Sequence, residues 1–237
     1  MTRESGEISE SIARLMSVLQ FGDSALPIGS FAFSNALESA VQHHLVHNPA
    51  TLSEFTRTAA HRAATSDGIA LLHAHRAACA ADMDRIMAAD RAVFSRKLSD
   101  EMRMMTTRMG RKLAELGTAI IGGPVISRWL DEVTDRTAAG TYPAGLAVLF
   151  ADLGAPEEDA FAVHQYGVAM TTLSAALRLM RIEPRVVQAI LRDVNAHSQE
   201  DYSAVRAASL ADMAGFAPAT DILAAMHVRA HMRMFMN

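Results

Sequence analysis

The sequence predicts a single all-α domain over residues 1–237, with about ten helices packed as a bundle and no β-sheet. Apolar residues recur at steps of three and four along most of the chain, as they do on helices that pack against a core. No run of alternating β-branched residues predicts a strand. Half of the residues are hydrophobic and a fifth are charged, which is the balance of a folded globular protein.

The composition and charge of the chain exclude several classes of protein. The formal net charge is -4 at pH 7, so no overall basic field attracts nucleic acid or an anionic membrane. The one cysteine, Cys79, excludes an intrachain disulfide framework and fits a reducing compartment. No apolar run approaches the roughly 20 residues of a transmembrane helix, and the N-terminal segment is amphipathic, unlike a secretory signal. We therefore expect a cytoplasmic protein without nucleic-acid or membrane partners.

The N-terminal part of the chain is predicted to be a helix followed by a structured loop. Residues 9–20 are expected to be helical, because apolar side chains follow helical spacing at Ile8, Ile12, Leu15, Met16 and Leu19. Residues 20–38 form the loop, in which Pro27 and Gly29 set a turn of defined shape.

A second helix is predicted over residues 35–47. Ser34 or Asn35 is expected to cap its first turn, because short polar side chains accept hydrogen bonds from free amide groups there. Glu38 lies three residues after Asn35 and would return the bond in a capping box.

Three more helices are predicted in the next fifty residues. Thr51 and Glu54 form a second capping box, which predicts a helix over residues 52–62. Another helix is expected to open at Asp67, and a further one to cover residues 82–94.

The clearest helix is predicted over residues 98–116. Gly110 inside it costs about 1 kcal/mol relative to alanine, which indicates that a neighbouring helix approaches closely there. Its core-facing stripe is made of apolar residues at steps of three or four, namely Leu98, Met102, Met105, Met109, Leu113 and Leu116.

Proline and acidic residues mark the helices of the second half. Pro143 is expected in a first turn, where a missing amide hydrogen costs least, and Pro156 lies early in a second helix start. Three acids follow Pro156 and favour the positive end of a helix dipole. The predicted elements are a break at residues 117–124, a short segment anchored by Trp129, helices ending near residues 150 and 179, a break at residues 181–185 and a last helix capped by Thr220.

Histidine is the first residue type to examine for a metal site. His43, His44 and His47 cluster at the end of a predicted helix, and His227 and His231 have the four-residue spacing that places two imidazoles on one face. Neither group has an obvious third ligand nearby. We interpret both as surface or capping histidines and predict no metal site.

No catalytic site is predicted either. Cys79 has His75 four residues before it, but we interpret the cysteine as inert packing because its alanine surroundings offer nothing to orient the histidine. No serine lies in a nucleophile elbow. The sequence therefore predicts a protein that is not an enzyme and needs no cofactor.

Two groups of residues are candidates for docking another protein, with core packing as the alternative. Phe31 and Phe33 beside the Pro-Gly turn either fill the core or anchor a partner. The C-terminal methionines either form an adaptable docking surface or pack within the protein, and they are Met232, Met234 and Met236. Met102, Met105 and Met109 are expected to fill gaps in the core.

Several short motifs occur in a fixed order along the chain. Residues 24–38 read Ser-x-Leu-Pro-Ile-Gly-x-Phe-x-Phe-Ser-x-x-Leu-Glu, and this pattern resembles the opening signature of the urease accessory protein UreF family. Arg-Met-Gly at 108–110 and Tyr-Pro at 142–143 are similar to internal segments. Ala36 and Val228 stand where the family usually has glycine and glutamate. The C-terminal part of the chain resembles the family's C-terminal motif at Pro218, Asp221, Ile222, Met226, His227, Arg233 and Phe235.

The resemblance implies a helical scaffold for nickel insertion into urease. It implies a homodimer that binds the accessory protein UreD, also called UreH, recruits the GTPase UreG and acts on apo-urease. The nucleotide chemistry then belongs to UreG. The implied partner-binding residues are Phe31, Phe33 and Glu38, which shape the N-terminal loop, and His227, Arg233 and Phe235, which hold a C-terminal segment that orders on partner binding.

Two alternatives stay open at this point. The first is a protein that activates or modulates the GTPase by supplying an arginine, for instance Arg108 or Arg233, to its transition state. The second is a helical protein that binds a metal or a small molecule.

Overall fold

The computed structural model describes residues 2–215, 222–223 and 234–235, with side chains from residue 12 onward. No strand occurs in these residues, so the all-α prediction is confirmed. None of the described helices is both long and apolar enough to cross a bilayer. The α-helices are α1 (Thr2–Gly22), α2 (Leu37–Gln42), α3 (Pro49–Ala63), α4 (Ile69–Cys79), α5 (Met83–Ser95), α6 (Asp100–Ile120), α7 (Pro124–Thr134), α8 (Tyr142–Asp152), α9 (Glu157–Leu179), α10 (Pro184–Ala196) and α11 (Ser198–Val205).

Helix α8 is the centre of the fold. Eight of its eleven residues are buried, from Pro143 to Phe150. Helices α4, α6, α7 and α9 pack around it, as expected for a helix that is apolar on every side. Trp129 of α7 is fully buried in the same core, which confirms its predicted role as an anchor.

A second, smaller core lies between α2, α3, α9 and α10. Leu37, Leu52 and Leu173 are fully buried in it. Phe235, close to the end of the chain, belongs to the same core. The N-terminal and C-terminal parts of the chain therefore share one packing unit.

Gly110 allows α6 to touch the start of α8. A methyl group placed on Gly110 would lie 2.6 Å from the carbonyl carbon of Thr141 and 2.7 Å from the amide nitrogen of Tyr142. Such distances leave no room for any other residue. The predicted close approach at Gly110 is confirmed.

The turn before α8 is held by a buried carboxylate from another helix. Asp90 of α5 is fully buried and accepts the amide hydrogens of Ala139 (2.7 Å), Gly140 (3.1 Å) and Thr141 (2.7 Å). Thr141, at the N-cap position, makes no side-chain cap bond. The start of α8 is thus fixed by tertiary contacts to α5 and α6.

Two predicted capping boxes are wrong, although the Ser34 hydroxyl accepts the amide hydrogen of Glu38 in the first turn of α2 at 3.3 Å, as one of the predicted caps requires. Helix α3 begins at Pro49, and its capping box joins Asn48 to Thr51, so Glu54 takes no part. Helix α2 covers only residues 37–42, because Asn35 (φ 52°) and Ala36 (φ 66°) are both left-handed and precede it. A left-handed pair cannot belong to a right-handed helix.

The helix predicted to open at Asp67 does not begin there. Residues 64–68 form a π-helical turn that joins α3 to α4 without a break. The side-chain amide of Gln165 on α9, oriented to satisfy both groups, donates to the Ala60 carbonyl (2.8 Å) and accepts from the Ala64 amide (3.2 Å). A side chain inserted into the main-chain bonds accounts for the wider turn.

Helix α1 contains the predicted helix and begins earlier. It lies against α9 on its less apolar side, where Arg14 pairs with Asp159 at 3.0 Å. Its apolar stripe faces outward, with Ile12, Leu15, Met16 and Leu19 more than half exposed. Leu98 is also exposed and lies before the first residue of α6, so its predicted place in the core-facing stripe is wrong.

Candidate functional site

The structure brings three of the predicted site residues together. Phe31 from the N-terminal loop, Glu38 from α2 and Phe235 from the C-terminal segment meet beside the last turn of α9. Phe33 lies elsewhere, and His227 and Arg233 fall outside the described residues. Their predicted role in binding a partner stays a prediction.

Glu38 fastens the C-terminal segment. Its Oε1 accepts the amide hydrogen of Met234 at 2.7 Å, and its Oε2 accepts that of Phe235 at 3.0 Å. The glutamate is only 3 % exposed. Hydrogen bonds from amides to a carboxylate are stronger than bonds between neutral groups, and burial strengthens them further. The predicted capping box at this position is wrong, because the carboxylate binds the other end of the chain.

Arg178, in the last turn of α9, lies between two aromatic rings. Its guanidinium carbon is 3.9 Å from the ring centroid of Phe31 and 3.9 Å from that of Phe235. Its Nη2 donates to the Phe31 carbonyl at 2.8 Å. A cation over the face of an aromatic ring is stabilised by the charge distribution of the ring. We call Phe31, Glu38, Arg178, Met234 and Phe235 the terminal clasp.

The charge of Arg178 is not neutralised within the described part of the chain. Its Nε is buried without a hydrogen-bond partner. Burial lowers the pKa of the guanidinium below its usual value, and no described carboxylate acts on it to oppose that effect. A partly buried cation with no carboxylate partner among the described residues suits a carboxylate from another molecule.

The local geometry of the loop separates Phe31 from Phe33. Gly29 is left-handed (φ 89°), and a short 3-10 turn at Ser30–Ala32 follows it. Phe31 in this turn is 69 % exposed, whereas Phe33 returns to extended backbone and is 4 % exposed in the main core. The sequence left core packing and docking as alternatives for this pair, and each alternative suits one residue. Phe33 packs in the core, whereas Phe31 is exposed and available for docking.

A cavity of about 360 Å³ lies behind the clasp, between the N-terminal loop, α6 and α9. Tyr142, His164, Asp67 and Lys97 line part of it. Lys97 Nζ pairs with Asp67 at 2.6 Å, which neutralises both charges. Burial lowers the pKa of His164 to about 4 and raises that of Tyr142 to about 12, so both are neutral at pH 7.

The histidines singled out in the sequence do not assemble a metal site in the described residues. No group of three or more histidine, cysteine, aspartate or glutamate side chains comes together there. His43, His44 and His47 are exposed, and the Nδ1 of His47 lies 3.1 Å from the His44 carbonyl. His231 lies outside the described residues.

The interpretation of Cys79 as a packed residue is wrong. Cys79 is exposed at the end of α4. The imidazole of His75 is held by the Ala155 carbonyl, which lies 2.9 Å from Nε2. Ala155 is eighty positions away in the chain, so the local alanines gave no sign of it.

Arg178 is a candidate site residue that the sequence patterns did not indicate. A basic residue in the last turn of a helix is ordinarily explained by the helix dipole, and Arg178 satisfies that pattern. Only the meeting of both chain ends distinguishes it. Arg108, named for the alternative function, lies exposed on α6.

Comparisons of the sequence with known proteins find similar proteins that match nearly the whole chain. The family model described as UreF matches residues 46–195 of the chain. The protein named urease accessory protein UreF 2 from Brucella canis is 51 % identical over 243 residues, covering all of both chains. UreF 1 from Brucella melitensis is 52 % identical over 227 residues, covering 96 % of this chain and 94 % of its own. UreF from Yersinia pseudotuberculosis is 46 % identical over 223 residues, covering 94 % and 98 %.

Proposed function

Because the chain belongs to the UreF family of urease accessory proteins, we propose that it is a non-catalytic scaffold in urease maturation. In this role it binds UreD (UreH) and recruits the GTPase UreG, so that nickel is inserted into apo-urease. It acts in the cytoplasm as a homodimer, as the family resemblance implies.

The terminal clasp is the observation that carries the proposal. It presents an exposed aromatic ring at Phe31, an exposed methionine at Met234 and a partly buried cation at Arg178 on one surface. Aromatic residues, methionine and arginine are the residue types enriched in protein interfaces. The surface therefore suits a protein partner that offers a carboxylate among apolar groups.

The clasp also explains how both ends of the chain act together. Glu38 holds the backbone of Met234 and Phe235, and Phe235 then covers one face of Arg178 while Phe31 covers the other. A partner bound to Arg178 contacts both chain ends at once. Its affinity consequently depends on the C-terminal segment being in place.

The contacts of Arg178 favour docking over direct activation of the GTPase by this residue, and the alternative role of Arg108 or Arg233 stays a prediction. An arginine that enters a partner's nucleotide site must be free to extend, as in proteins that supply an arginine to a GTPase. Arg178 is instead held on both faces and by its bond to the Phe31 carbonyl. It is suited to fix a partner's position.

Co-purification tests the proposal. The chain is co-expressed with UreD and UreG from one organism and the mixture is separated by size exclusion. We expect a stoichiometric complex with the wild-type chain and its loss with Arg178→Ala. Arg57→Ala, which removes an exposed arginine from α3, is the matched control and should retain the complex. A chain that elutes alone in all three cases would contradict the proposal.

A further inference from the structure

The single cysteine of the chain lies against a buried histidine at the end of α4. Cys79 is exposed, and His75, one helical turn earlier, is 5 % exposed. The Sγ of Cys79 is 3.7 Å from the Nδ1 of His75. Within the described residues, Nδ1 contacts no other polar atom. The thiol is thus open to solvent on one side and faces an imidazole nitrogen on the other.

The second ring nitrogen of His75 fixes its protonation pattern. Nε2 lies 2.9 Å from the Ala155 carbonyl oxygen. A carbonyl oxygen only accepts hydrogen bonds, so Nε2 carries the hydrogen and donates it. In the neutral ring Nδ1 then has a free lone pair, and it points at the cysteine sulfur. His75 is therefore placed to accept a proton from Cys79.

The charges around His75 keep it neutral yet able to take up that proton. Burial lowers the pKa of His75 below its usual value, so the ring is a free base at pH 7. The hydrogen bond to Ala155 and the carboxylates of Glu157 and Glu158 on α9 act in the opposite direction and favour the imidazolium. Arg76 opposes it, but its guanidinium is bound by Glu157 through two bonds of 2.6 Å.

The residues around the thiol leave it accessible. Ala80 and Ala81 follow Cys79 and are both exposed, with no large side chain at either position. Ala77 and Ala78 before it are buried and hold the helix against the core. The small neighbours that suggested an inert residue from sequence alone thus leave space for a second molecule at the sulfur.

We propose that Cys79, with His75 as general base, is a nucleophilic modification site for low-molecular-weight disulfides. The proton of Sγ passes to Nδ1 as Sγ attacks one sulfur of the disulfide, and the disulfide bond breaks. The proton then leaves Nδ1, either to the departing thiolate or, when that thiolate stays ionised, to water. The products are a mixed disulfide on Cys79 and one free thiol, so no further oxidant is required. The site is separate from the terminal clasp and independent of the proposed scaffold function.

The pH dependence of the reaction distinguishes an assisted thiol from an ordinary one. An unassisted thiol with a pKa of about 8.5 reacts through its thiolate, so its rate falls about tenfold for each pH unit below that value. A thiol served by His75 keeps a usable base until the imidazole is protonated. Its rate should fall by less than about tenfold between pH 8.5 and pH 6.5, where the unassisted rate falls about 50-fold.

The experiment measures second-order rates with an aromatic disulfide whose released thiolate absorbs visible light. The wild-type chain is compared with His75→Gln, whose amide can still donate to Ala155 but is not a base. The matched control moves the thiol by one residue, in the double variant Cys79→Ser, Ala80→Cys. At pH 6.5 we expect the wild type to react about fivefold or more faster than both.

Equal rates in all three proteins, or a wild-type rate that falls tenfold per pH unit, would overturn the proposal. Circular dichroism checks that each variant is folded. If His75→Gln does not fold, the comparison of the wild type with the Ala80→Cys double variant still decides the question, because both positions are exposed and the double variant retains His75. Neither result bears on binding of UreD or UreG.

Discussion

Replacing Glu38 by glutamine tests how the terminal clasp is held. The carboxylate accepts two backbone amides, from Met234 at 2.7 Å and Phe235 at 3.0 Å. A glutamine side chain has one oxygen to accept one of these amides, and its NH2 group then faces the other. One charge-assisted bond of about 1.5–3 kcal/mol is lost, and the second becomes a bond between neutral groups.

This loss should open the clasp locally and leave the rest of the fold intact. A free energy of about 1.5–3 kcal/mol corresponds to a change of about 10- to 150-fold in the equilibrium between closed and open clasp. Hydrogen exchange at the amides of Met234 and Phe235, followed by NMR, should accelerate by that factor. Amides in α8, at the centre of the core, should keep their protection.

Glu54→Gln is the matched control, because it removes the same charge from an exposed position on α3. It should leave exchange at both C-terminal amides unchanged. If Glu38→Gln also leaves them unchanged, the carboxylate does not hold the segment and the reasoning is refuted. If it unfolds the whole chain, the clasp is not the local unit described here.

Two further predictions concern the core. Asp90→Asn should lower the free energy of unfolding by about 3–5 kcal/mol in chemical denaturation, because an amide NH2 would face the amides of Ala139 and Gly140. The control Asp131→Asn, at an exposed position, should lower it by less than about 0.5 kcal/mol. Equal losses in the two variants would contradict the role of Asp90 in holding the turn before α8. His164 has a pKa of about 4 in the folded chain and about 6.5 in the unfolded chain, so the unfolded chain binds the proton more readily. The free energy of unfolding should therefore fall by up to about 3 kcal/mol as the pH drops from 6.5 to 4. A folded His164→Gln variant should lack that part of the pH dependence, and an unchanged profile would show that His164 is not its source.

The helices of the second half could be predicted from the sequence because their start signals are local. Pro143 lies in the first turn of α8, and Pro156 with the acids after it begins α9, as predicted. The predicted break at residues 181–185 overlaps the gap between α9 and α10, which covers residues 180–183, and its last two residues begin α10. Such signals act within one turn of the chain, so their neighbours in sequence are sufficient to identify them.

Features that depend on distant residues could not be predicted in this way. The π-helical turn at residues 64–68 is set by Gln165, and the turn before α8 is held by Asp90. The apolar stripe of α1 faces outward for a similar reason. Apolar residues at helical spacing show that a helix is amphipathic, but they do not show which side of the helix packs against the rest of the protein.

The terminal clasp combines both situations. Phe31, Glu38 and Phe235 were named from the sequence through the family resemblance, while their contact with one another required the fold. Arg178 carried no distinguishing signal, since its role depends on two rings that lie 147 and 57 positions away in the chain. The contacts that form the terminal clasp thus depend on the fold, which brings the N-terminal loop and the C-terminal segment together.

We propose that UreD docks on the terminal clasp through Arg178. The most direct test is the affinity of purified UreD for the wild-type chain, Arg178→Ala and the control Arg57→Ala, measured by titration calorimetry. Arginines at the centre of an interface commonly contribute 2 kcal/mol or more, so we expect Arg178→Ala to weaken binding by about 30-fold or more. The control should stay within about twofold of the wild type. Wild-type affinity in a folded Arg178→Ala chain would contradict the account.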